Sequence, residues 1–431
     1  MSYGYDIKPI SIDKRKYGFS DVFAIWFGAG ISIAEFWAGA ILVASPLSLD
    51  LKTALLAIII GHIIGNLLLS LIGVIGVETG LPTMAISRKP LGLKGSCLVS
   101  ILNYLQLIGW TAVMLIVGAL AMDNVFSTLL NVQLYHVWII ILGFIVTLWS
   151  FIGPEKWKFI EKFSAILLLG LSLFLLYAIA QQFNIMEFFK GAFYMDYRFW
   201  LAMDLVIAMP VSWAPLIADY TRFSHSIRDG FWGSYIGYFI SSSLFYFLGA
   251  FSNIALNQLD PISVIAFYGL GIPAMLIIVF STATTTFLDV YSAAITLKNV
   301  RENIDVRKHI LYAGLIGTVL ALVFPVHEYE WFLILIGGAF VSLTSIMIMD
   351  FIFDRKNYDP NKILNTNKRI DPLSIIIWFI GFLVYILLAA PSLIPGLYIP
   401  IFTEVGSMLG SSIPTLIIVS LLYAIYVLYR R

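Results

Sequence analysis

Twelve long apolar segments run through the chain, and they constrain its fold more than any other feature. A membrane-spanning helix needs ~20 residues, and each segment is close to that length or longer. The runs are continuous and do not alternate with polar residues, which excludes a transmembrane β-barrel. The sequence therefore predicts an all-α polytopic membrane protein with 12 transmembrane helices. Their approximate ranges are 20–45, 51–77, 96–122, 134–153, 159–181, 199–221, 230–256, 270–297, 309–326, 330–352, 372–390 and 411–429.

The composition agrees with a membrane protein and excludes several other classes. Of the 431 residues, 60% are hydrophobic and 12% are charged, which is about half the charged fraction of a soluble protein. The 26 basic and 25 acidic residues leave a net charge of +1, too little to attract nucleic acid. The single cysteine, Cys97, excludes intrachain disulfides and a cysteine-rich metal site. The longest polar stretch, 354–371, is interpreted as a connector, so we expect no separate soluble domain.

Basic residues are distributed unevenly between the two sets of loops. Only three of the 26, Lys52, Lys190 and Arg198, fall in the loops of one side. Loops rich in lysine and arginine stay in the cytoplasm. The first segment is too long for a signal peptide and lacks a small-residue cleavage site. We therefore predict a multi-pass protein of the plasma (cell) membrane with both termini in the cytoplasm.

Two of the segments contain helix-breaking residues near their centres. The first contains Gly28 and Gly30, and the sixth contains Pro210 and Pro215. A broken membrane helix frees backbone groups that can bind an ion or a polar solute. Close helix packing explains either break alone, but a pair five segments apart indicates two inverted five-helix repeats. We predict a single transporter domain over 1–431, with repeat one at about 20–181, repeat two at about 199–352 and added helices at about 372–429.

Two carboxylates, Glu35 and Asp289, lie near the centres of the first and eighth segments. A charged group within a bilayer costs about 2.5–3.5 kcal/mol or more. Each acid is therefore a candidate functional residue. The alternative is a structural carboxylate that only pairs with neighbouring protein groups.

The eighth segment also carries a run of hydroxyl side chains. Ser281, Thr284 and Thr285 are spaced i, i+3 and i+4, so they share one helix face. Sodium is a hard cation that prefers oxygen ligands. These hydroxyls, opposite freed carbonyls around Gly28 and Ser32, form a candidate sodium site. The alternative is that the hydroxyls bond back to carbonyls of their own helix.

Two tryptophans and an amide favour a flat heteroaromatic solute. Gln106 and Trp110 lie four residues apart in the third segment, and Ser212 and Trp213 lie at the break of the sixth. Indoles stack on the faces of a planar ring, and an amide bonds to its polar edge. Packing within the protein or against lipid is the alternative for the tryptophans.

Several short motifs, in order along most of the chain, resemble the nucleobase:cation symporter family. They are ETGLPT at 78–83, Gly109-Trp110, ADYTRF at 218–223, and the threonine-rich centre of the eighth segment followed by Tyr291. The resemblance implies a LeuT-like fold, with a 5+5 inverted-repeat core and two extra helices. It also implies coupled import of a purine, pyrimidine or related base, usually with sodium. No cofactor is implied beyond the coupling ion.

The resemblance also implies roles for individual residues. Gly28, with Ile31 and Ser32, would offer sodium backbone carbonyls, and Ser281, Thr284 and Thr285 would complete the ion site. Trp110 would stack on the base, Gln106 would bond to its edge, and Ser212 and Trp213 would line the broken helix. The full set expected to bind substrate is Glu35, Gln106, Trp110, Ser212, Trp213, Thr286 and Asp289.

Departures from the cytosine carriers of that family point to a different base. Those carriers tend to have an amide near position 286, where this chain has Thr286, and they place their glutamine three rather than four residues before the tryptophan. The run 284–292 resembles the branch linked to hydroxymethylpyrimidine, the thiamin precursor. A carboxylate would accept a hydrogen bond from its exocyclic amine or from a protonated ring. Hydroxymethylpyrimidine is therefore the expected substrate.

Other functions remain as alternatives. One is a cytosine or purine/allantoin symporter coupled to sodium or to protons, and a more distant one is an amino-acid symporter of the same fold. An enzyme is not expected, because HExxH and Gly-x-Ser-x-Gly motifs do not occur and His62 has no partner motif. A channel is also less expected, because it needs a repeated pore-lining element, whereas twelve segments with two breaks fit a carrier better. The expected partners are the base, the cation and membrane lipid, with no nucleic acid and no obligate protein partner.

Overall fold

The computed structural model describes residues 4–189, 193, 195–256, 271–323, 329–393 and 399–430, and these ranges are almost entirely helical. The helices are α1 (Phe19–Ala29), α2 (Ile33–Val43), α3 (Leu51–Thr79), α4 (Thr83–Ile86), α5 (Arg88–Leu130), α6 (Tyr135–Ile152), α7 (Pro154–Gln182), α8 (Tyr197–Ser212), α9 (Ala218–Thr221), α10 (Ile227–Leu256), α11 (Gly271–Val300), α12 (Val306–Val323), α13 (Tyr329–Asp354), α14 (Pro360–Leu364), α15 (Pro372–Leu393), α16 (Pro400–Leu409) and α17 (Ser412–Arg430).

The number of candidate membrane spans differs from the predicted twelve. Ten of the described helices are long and apolar enough to cross a membrane, and the bent pair α1 and α2 raises the number to 11. The predicted sixth span is α8, which has 16 residues, fewer than the ~20 of a full crossing. Its shortness follows from the chain leaving the helix after Ser212. Helix length and composition therefore do not establish a count of twelve.

Both helix breaks predicted from the sequence are confirmed. The chain bends by 58° between α1 and α2, and Ser32 caps α2 by accepting a hydrogen bond from the Glu35 amide at 3.2 Å. In the second break, residues 213–217 form turns between α8 and α9. Pro215 lies in these turns, where its missing N–H removes no helical hydrogen bond.

The ETGLPT and ADYTRF motifs, which are distant in sequence, contact each other. The Thr83 amide donates to Asp219 Oδ1 at 2.9 Å, and the Ala218 amide donates to Thr83 Oγ1 at 3.0 Å. These bonds fix the start of α4 against the start of α9. The second break is therefore anchored at its α9 end, and α8 begins it at the other end.

Glycines bring the backbones of α2 and α10 into direct contact. A Cβ atom placed on Gly39 would lie 2.0 Å from the Tyr246 carbonyl oxygen, and one on Gly249 would lie 1.9 Å from the Phe36 carbonyl oxygen. Small residues permit such close approach of membrane helices. The contact presses the first turn of α2, which carries Glu35, against polar side chains of α10.

Gly249→Ala is expected to destabilise the protein by about 1–3 kcal/mol, because the added methyl group must push α10 away from α2. The matched control is Gly170→Ala in α7, where nothing lies within 4 Å of the added Cβ and alanine is the better helix former. Thermal unfolding of the detergent-purified proteins measures both. Equal melting temperatures for the two variants would contradict the close packing.

Candidate functional site

A cavity lies where the two broken helices meet α5 and α11. Six of the seven residues predicted to bind substrate line it, namely Glu35, Gln106, Trp110, Ser212, Trp213 and Asp289. Ser32 and Thr285, from the predicted ion site, line it as well. Leu107, Met114, Met209 and Leu216 add apolar surface that sequence reasoning did not assign.

Thr286 is the exception among the predicted substrate residues. It is buried, but it does not line the cavity, and its hydroxyl has no hydrogen-bond partner in the described part of the chain. Thr285 faces the cavity instead. Successive residues of a helix point about 100° apart. Thr285 therefore faces the cavity while Thr286 points away from it.

Two hydrogen-bond acceptors on the cavity wall have no partner in the described protein. The Gln106 Nε2 group donates to Asn103 Oδ1 at 2.7 Å, and this bond leaves the Gln106 Oε1 atom unpaired. Asp289 is 2% exposed, and no side chain of the described ranges donates to its carboxylate. Buried polar groups are normally paired. These two acceptors therefore call for a ligand that carries N–H or O–H donors.

Aromatic side chains give the cavity flat walls. Trp110 and Trp213 both line it. The Trp213 ring is fixed on one edge by its Nε1 group, which donates to the Tyr238 hydroxyl at 2.8 Å. Trp26 packs against it edge to face, with ring centroids 6.1 Å apart. An indole held in this way can stack on a planar ligand without a loss of rotamer freedom.

Glu35 is held by a hydrogen-bonded chain that reaches His62 on α3. Tyr238 donates to one carboxyl oxygen and Ser242 to the other, the latter at 2.8 Å. His62 Nε2 lies 2.5 Å from the Ser242 hydroxyl, and His62 Nδ1 lies 2.9 Å from the Ile58 carbonyl. A carbonyl only accepts, so Nδ1 carries a proton. One serine proton cannot serve both neighbours, so a further proton resides on His62 or on Glu35.

The structure also brings together the residues predicted to bind sodium. Thr284 Oγ1 lies 3.3 Å from the Gly28 carbonyl, and Thr285 Oγ1 lies 3.4 Å from the Ala29 carbonyl. The single proton of Thr284 is best placed for the Phe280 carbonyl at 2.9 Å. Two acceptor oxygens therefore face each other across the gap between α1 and α11, which is favourable when a cation lies between them.

The remaining predicted sodium residues are placed less directly. Ile31 is fully buried at the break after α1. The Ser32 hydroxyl accepts from the Glu35 amide, and the Ser281 hydroxyl donates to the Ile278 carbonyl at 3.2 Å. The Ser281 group nearest to Thr284 Oγ1 is its backbone carbonyl oxygen, at 3.3 Å.

Comparison with known proteins assigns the family. Residues 9–407 match the family model described as permease for cytosine/purines, uracil, thiamine, allantoin. The chain belongs to this permease family. It is 24% identical over 416 residues to the cytosine permease of Escherichia coli (strain K12), covering 95% of this chain and 93% of that one. It is 23% identical over 371 residues to the hydantoin permease of Microbacterium maritypicum, covering 81% and 75%.

A solved structure confirms the fold of this permease. Mhp1, a nucleobase-cation-symport-1 family transporter in a closed conformation with bromovinylhydantoin bound, superposes with a TM-score of 0.81. The alignment covers 99% of this chain and 96% of Mhp1 at 19% identity. The predicted all-α LeuT-like fold is therefore confirmed. The protein is a multi-pass membrane transporter rather than an enzyme, because the relatives over its whole length are permeases.

Sequence reasoning missed several residues of the permease site. Tyr238 and Ser242 looked like ordinary α10 residues, and Asn103 carried no motif. Glu161 lies between Lys158 and Lys162, and the sequence analysis assigns it no role. Its position three residues into an apolar segment was the only available signal, and it becomes informative once its neighbours from other helices are known.

Tyr238→Phe is expected to lower the stability of the ligand-free permease by about 1.5–3 kcal/mol, because a buried carboxylate loses a donor. The Trp213 indole also loses its acceptor. Tyr235→Phe, three residues earlier on α10, is the control, since the Tyr235 hydroxyl makes only a 3.4 Å bond to the Ile63 carbonyl at an exposed site. Thermal unfolding without ligand compares the two. Indistinguishable melting curves would show that Tyr238 does not stabilise Glu35.

Proposed function

We propose that this permease is a secondary active symporter that imports a pyrimidine-type base, best identified as hydroxymethylpyrimidine, coupled to sodium by alternating access. The observation that carries the proposal is a pair of acceptors beside the indoles of the cavity. They are Gln106 Oε1, which is buried without a partner, and the Asp289 carboxylate, to which no described side chain donates. A 4-aminopyrimidine is flat, and its exocyclic amine provides two N–H donors. Its ring can stack on an indole of the cavity, and its amine can donate to the carboxylate.

Carboxylates suit a pyrimidine with basic ring nitrogens better than an amide does. Asp289 can accept from the amine, or from a ring nitrogen that is protonated. Glu35 lies on the same wall and already accepts two hydrogen bonds, but each carboxylate oxygen has a further lone pair. The threonine-rich run of α11, which resembles the hydroxymethylpyrimidine branch, supports the same substrate.

Cytosine is the second candidate substrate, supported by the name of the Escherichia coli relative that matches 95% of this chain. Cytosine is also flat and carries an exocyclic amine. Cytosine differs because it has a ring carbonyl, which needs a hydrogen-bond donor. The described residues of the cavity wall show no unpaired donor for it. Purines and allantoin, which the family description includes, remain further alternatives.

Sodium fits the oxygen atoms that meet between α1 and α11. The carbonyls of Gly28 and Ala29 and the hydroxyls of Thr284 and Thr285 are neutral oxygen ligands of the kind that hard cations take. The Ile31 carbonyl is the further ligand that we propose. A cation there would hold α1 against α11 and so order the walls of the cavity. Because coupling is reciprocal, the base must then tighten sodium binding as much as sodium tightens the base.

A proton is the second candidate for the coupling ion, supported by the hydrogen-bonded chain Glu35–Ser242–His62. Its extra proton can reside at either end, and Glu35 borders the cavity. Under this alternative, base binding in choline would depend on pH and would not need sodium. We retain the orientation proposed from the basic loops, with both termini in the cytoplasm and the base imported across the plasma membrane.

The test is a thermal-shift screen of the detergent-purified permease. Hydroxymethylpyrimidine, cytosine, uracil, hypoxanthine, allantoin and leucine are each added with sodium or with choline, since a ligand stabilises by RT ln(1 + [L]/Kd). We expect a sodium-dependent shift with hydroxymethylpyrimidine. A larger shift with cytosine or a purine would overturn the substrate and keep the family. A shift with leucine alone would overturn import of a base.

A further inference from the structure

Glu161 on α7 is a buried carboxylate with one oxygen unaccounted for. Its side chain is fully buried. Oε1 accepts a hydrogen bond from the Trp149 indole at 2.8 Å, whereas Oε2 has no partner among the residues that the structure describes. The indole therefore fixes the direction in which the second oxygen points.

That second oxygen points at the gap between α1 and α11. A methyl group placed on Gly28 would lie 3.0 Å from Glu161 Oε2 and 3.2 Å from Thr284 Cβ. Gly28 and Thr284 are the two residues whose oxygens face each other at 3.3 Å. Glu161 Oε2 thus approaches the same small volume from a third helix.

No basic side chain that the structure describes forms an ion pair with Glu161, and the side chain of Lys158 lies outside that description. The adjacent Lys162 pairs with Asp21 at 2.7 Å. A buried carboxylate is costly when it lacks a partner. A cation seated between the Glu161, Gly28 and Thr284 oxygens would supply that partner.

The composition of the oxygen set indicates the charge of the cation. One carboxylate surrounded by carbonyl and hydroxyl oxygens balances a single positive charge. Calcium sites use several carboxylates, and the described residues contain no group of three or more acidic, histidine or cysteine side chains that could hold a metal ion.

We propose that Glu161 is a direct ligand of the coupling cation and makes the sodium site electrically neutral when it is filled. The inference rests on the proposed sodium coupling and adds a third helix to it, so that the ion clamps α1 to both α7 and α11. Departure of the ion leaves an unpaired carboxylate against the Gly28 backbone, which favours separation of α1 from α7.

The decisive variant is Glu161→Gln. Glutamine has nearly the same shape, and its side-chain oxygen can still accept from Trp149, so the substitution removes the charge and little else. The matched control is Ser172→Ala on the same helix, because the Ser172 hydroxyl bonds only to the Leu168 carbonyl of α7. Both are made in the full-length protein.

The measurement is a sodium titration at constant ionic strength with choline, followed by thermal shift and by binding of radioactive sodium. We expect Glu161→Gln to raise the sodium concentration for half-maximal effect by about tenfold or more, as for loss of a charged contact. Ser172→Ala is expected to match the wild type. Base binding in choline, without sodium, is expected to be the same in Ser172→Ala and in the wild type.

Each outcome separates this inference from the sodium coupling itself. A sodium response in Glu161→Gln equal to that of the wild type would overturn the role of Glu161 and leave sodium coupling intact. No sodium response in the wild type would overturn both. If Glu161→Gln does not fold, Glu161→Asp decides, because withdrawing the carboxylate from Gly28 must weaken sodium binding in the same direction. An unchanged response in that variant would overturn the inference.

Discussion

Asp289→Asn is expected to lower the affinity for the transported base by about 10- to 150-fold, which corresponds to the loss of a charged hydrogen bond. The carboxylate borders the cavity, and in the described protein no side chain donates to it. The carboxylate can therefore accept hydrogen bonds from a ligand. The stability of the ligand-free protein should stay equal or rise, because a neutral amide costs less to bury than a charge.

The matched control for Asp289→Asn is Thr286→Val, three residues earlier on α11. Sequence reasoning assigned both residues to the substrate, whereas the structure places only Asp289 on the cavity wall. The Thr286 hydroxyl is buried without a partner, so valine should preserve affinity and leave stability equal or higher. Equilibrium binding of labelled base measures both variants. A larger loss of affinity in Thr286→Val than in Asp289→Asn would contradict the placement.

Thr285→Val is expected to abolish the dependence of base binding on sodium. Thr285 lines the cavity and also lies 3.4 Å from the Ala29 carbonyl at the ion site, so it belongs, like Ser32, to both proposed sites. Coupling energies of this kind correspond to factors of about 5–150 in affinity. The affinity measured in sodium should fall by that factor to the value measured in choline, and the base should no longer tighten sodium.

The control for Thr285→Val is the same substitution at Thr282, which faces α5. A Cβ atom on Gly118 of α5 would lie 2.8 Å from the Thr282 hydroxyl, so this side chain points away from the gap between α1 and α11. Thr282→Val should keep the sodium dependence of the wild type. If the affinity for the base in Thr285→Val still differs between sodium and choline as in the wild type, the Thr285 hydroxyl does not link the two sites.

Much of the candidate site was accessible from residue type and spacing. Intramembrane acids and amides are costly, so Glu35, Gln106 and Asp289 identified themselves as candidates without any tertiary information. The structure gathers them around one cavity with Trp110 and Trp213. Helical spacing was not enough to choose between Thr285 and Thr286, because that choice depends on how α11 is rotated against α1.

The surroundings of these residues required the tertiary structure. Glu35 and Asp289 were indistinguishable as buried acids. In the fold, Glu35 is held by Tyr238 and Ser242, whereas Asp289 faces the cavity and no described side chain donates to it. Glu161 became a candidate ligand only when α7 was seen to pack beside Gly28.

The sequence by itself determined the class of protein, its long apolar helices and the position of both breaks. These depend on local properties, since about 20 apolar residues commit a segment to a membrane helix, and glycine or proline acts on the backbone where it stands. The tertiary structure alone decided which polar groups are paired and which face a common space. Pairing depends on the rotation and spacing of helices that are distant in sequence, and those are set by contacts such as Gly249 against Phe36.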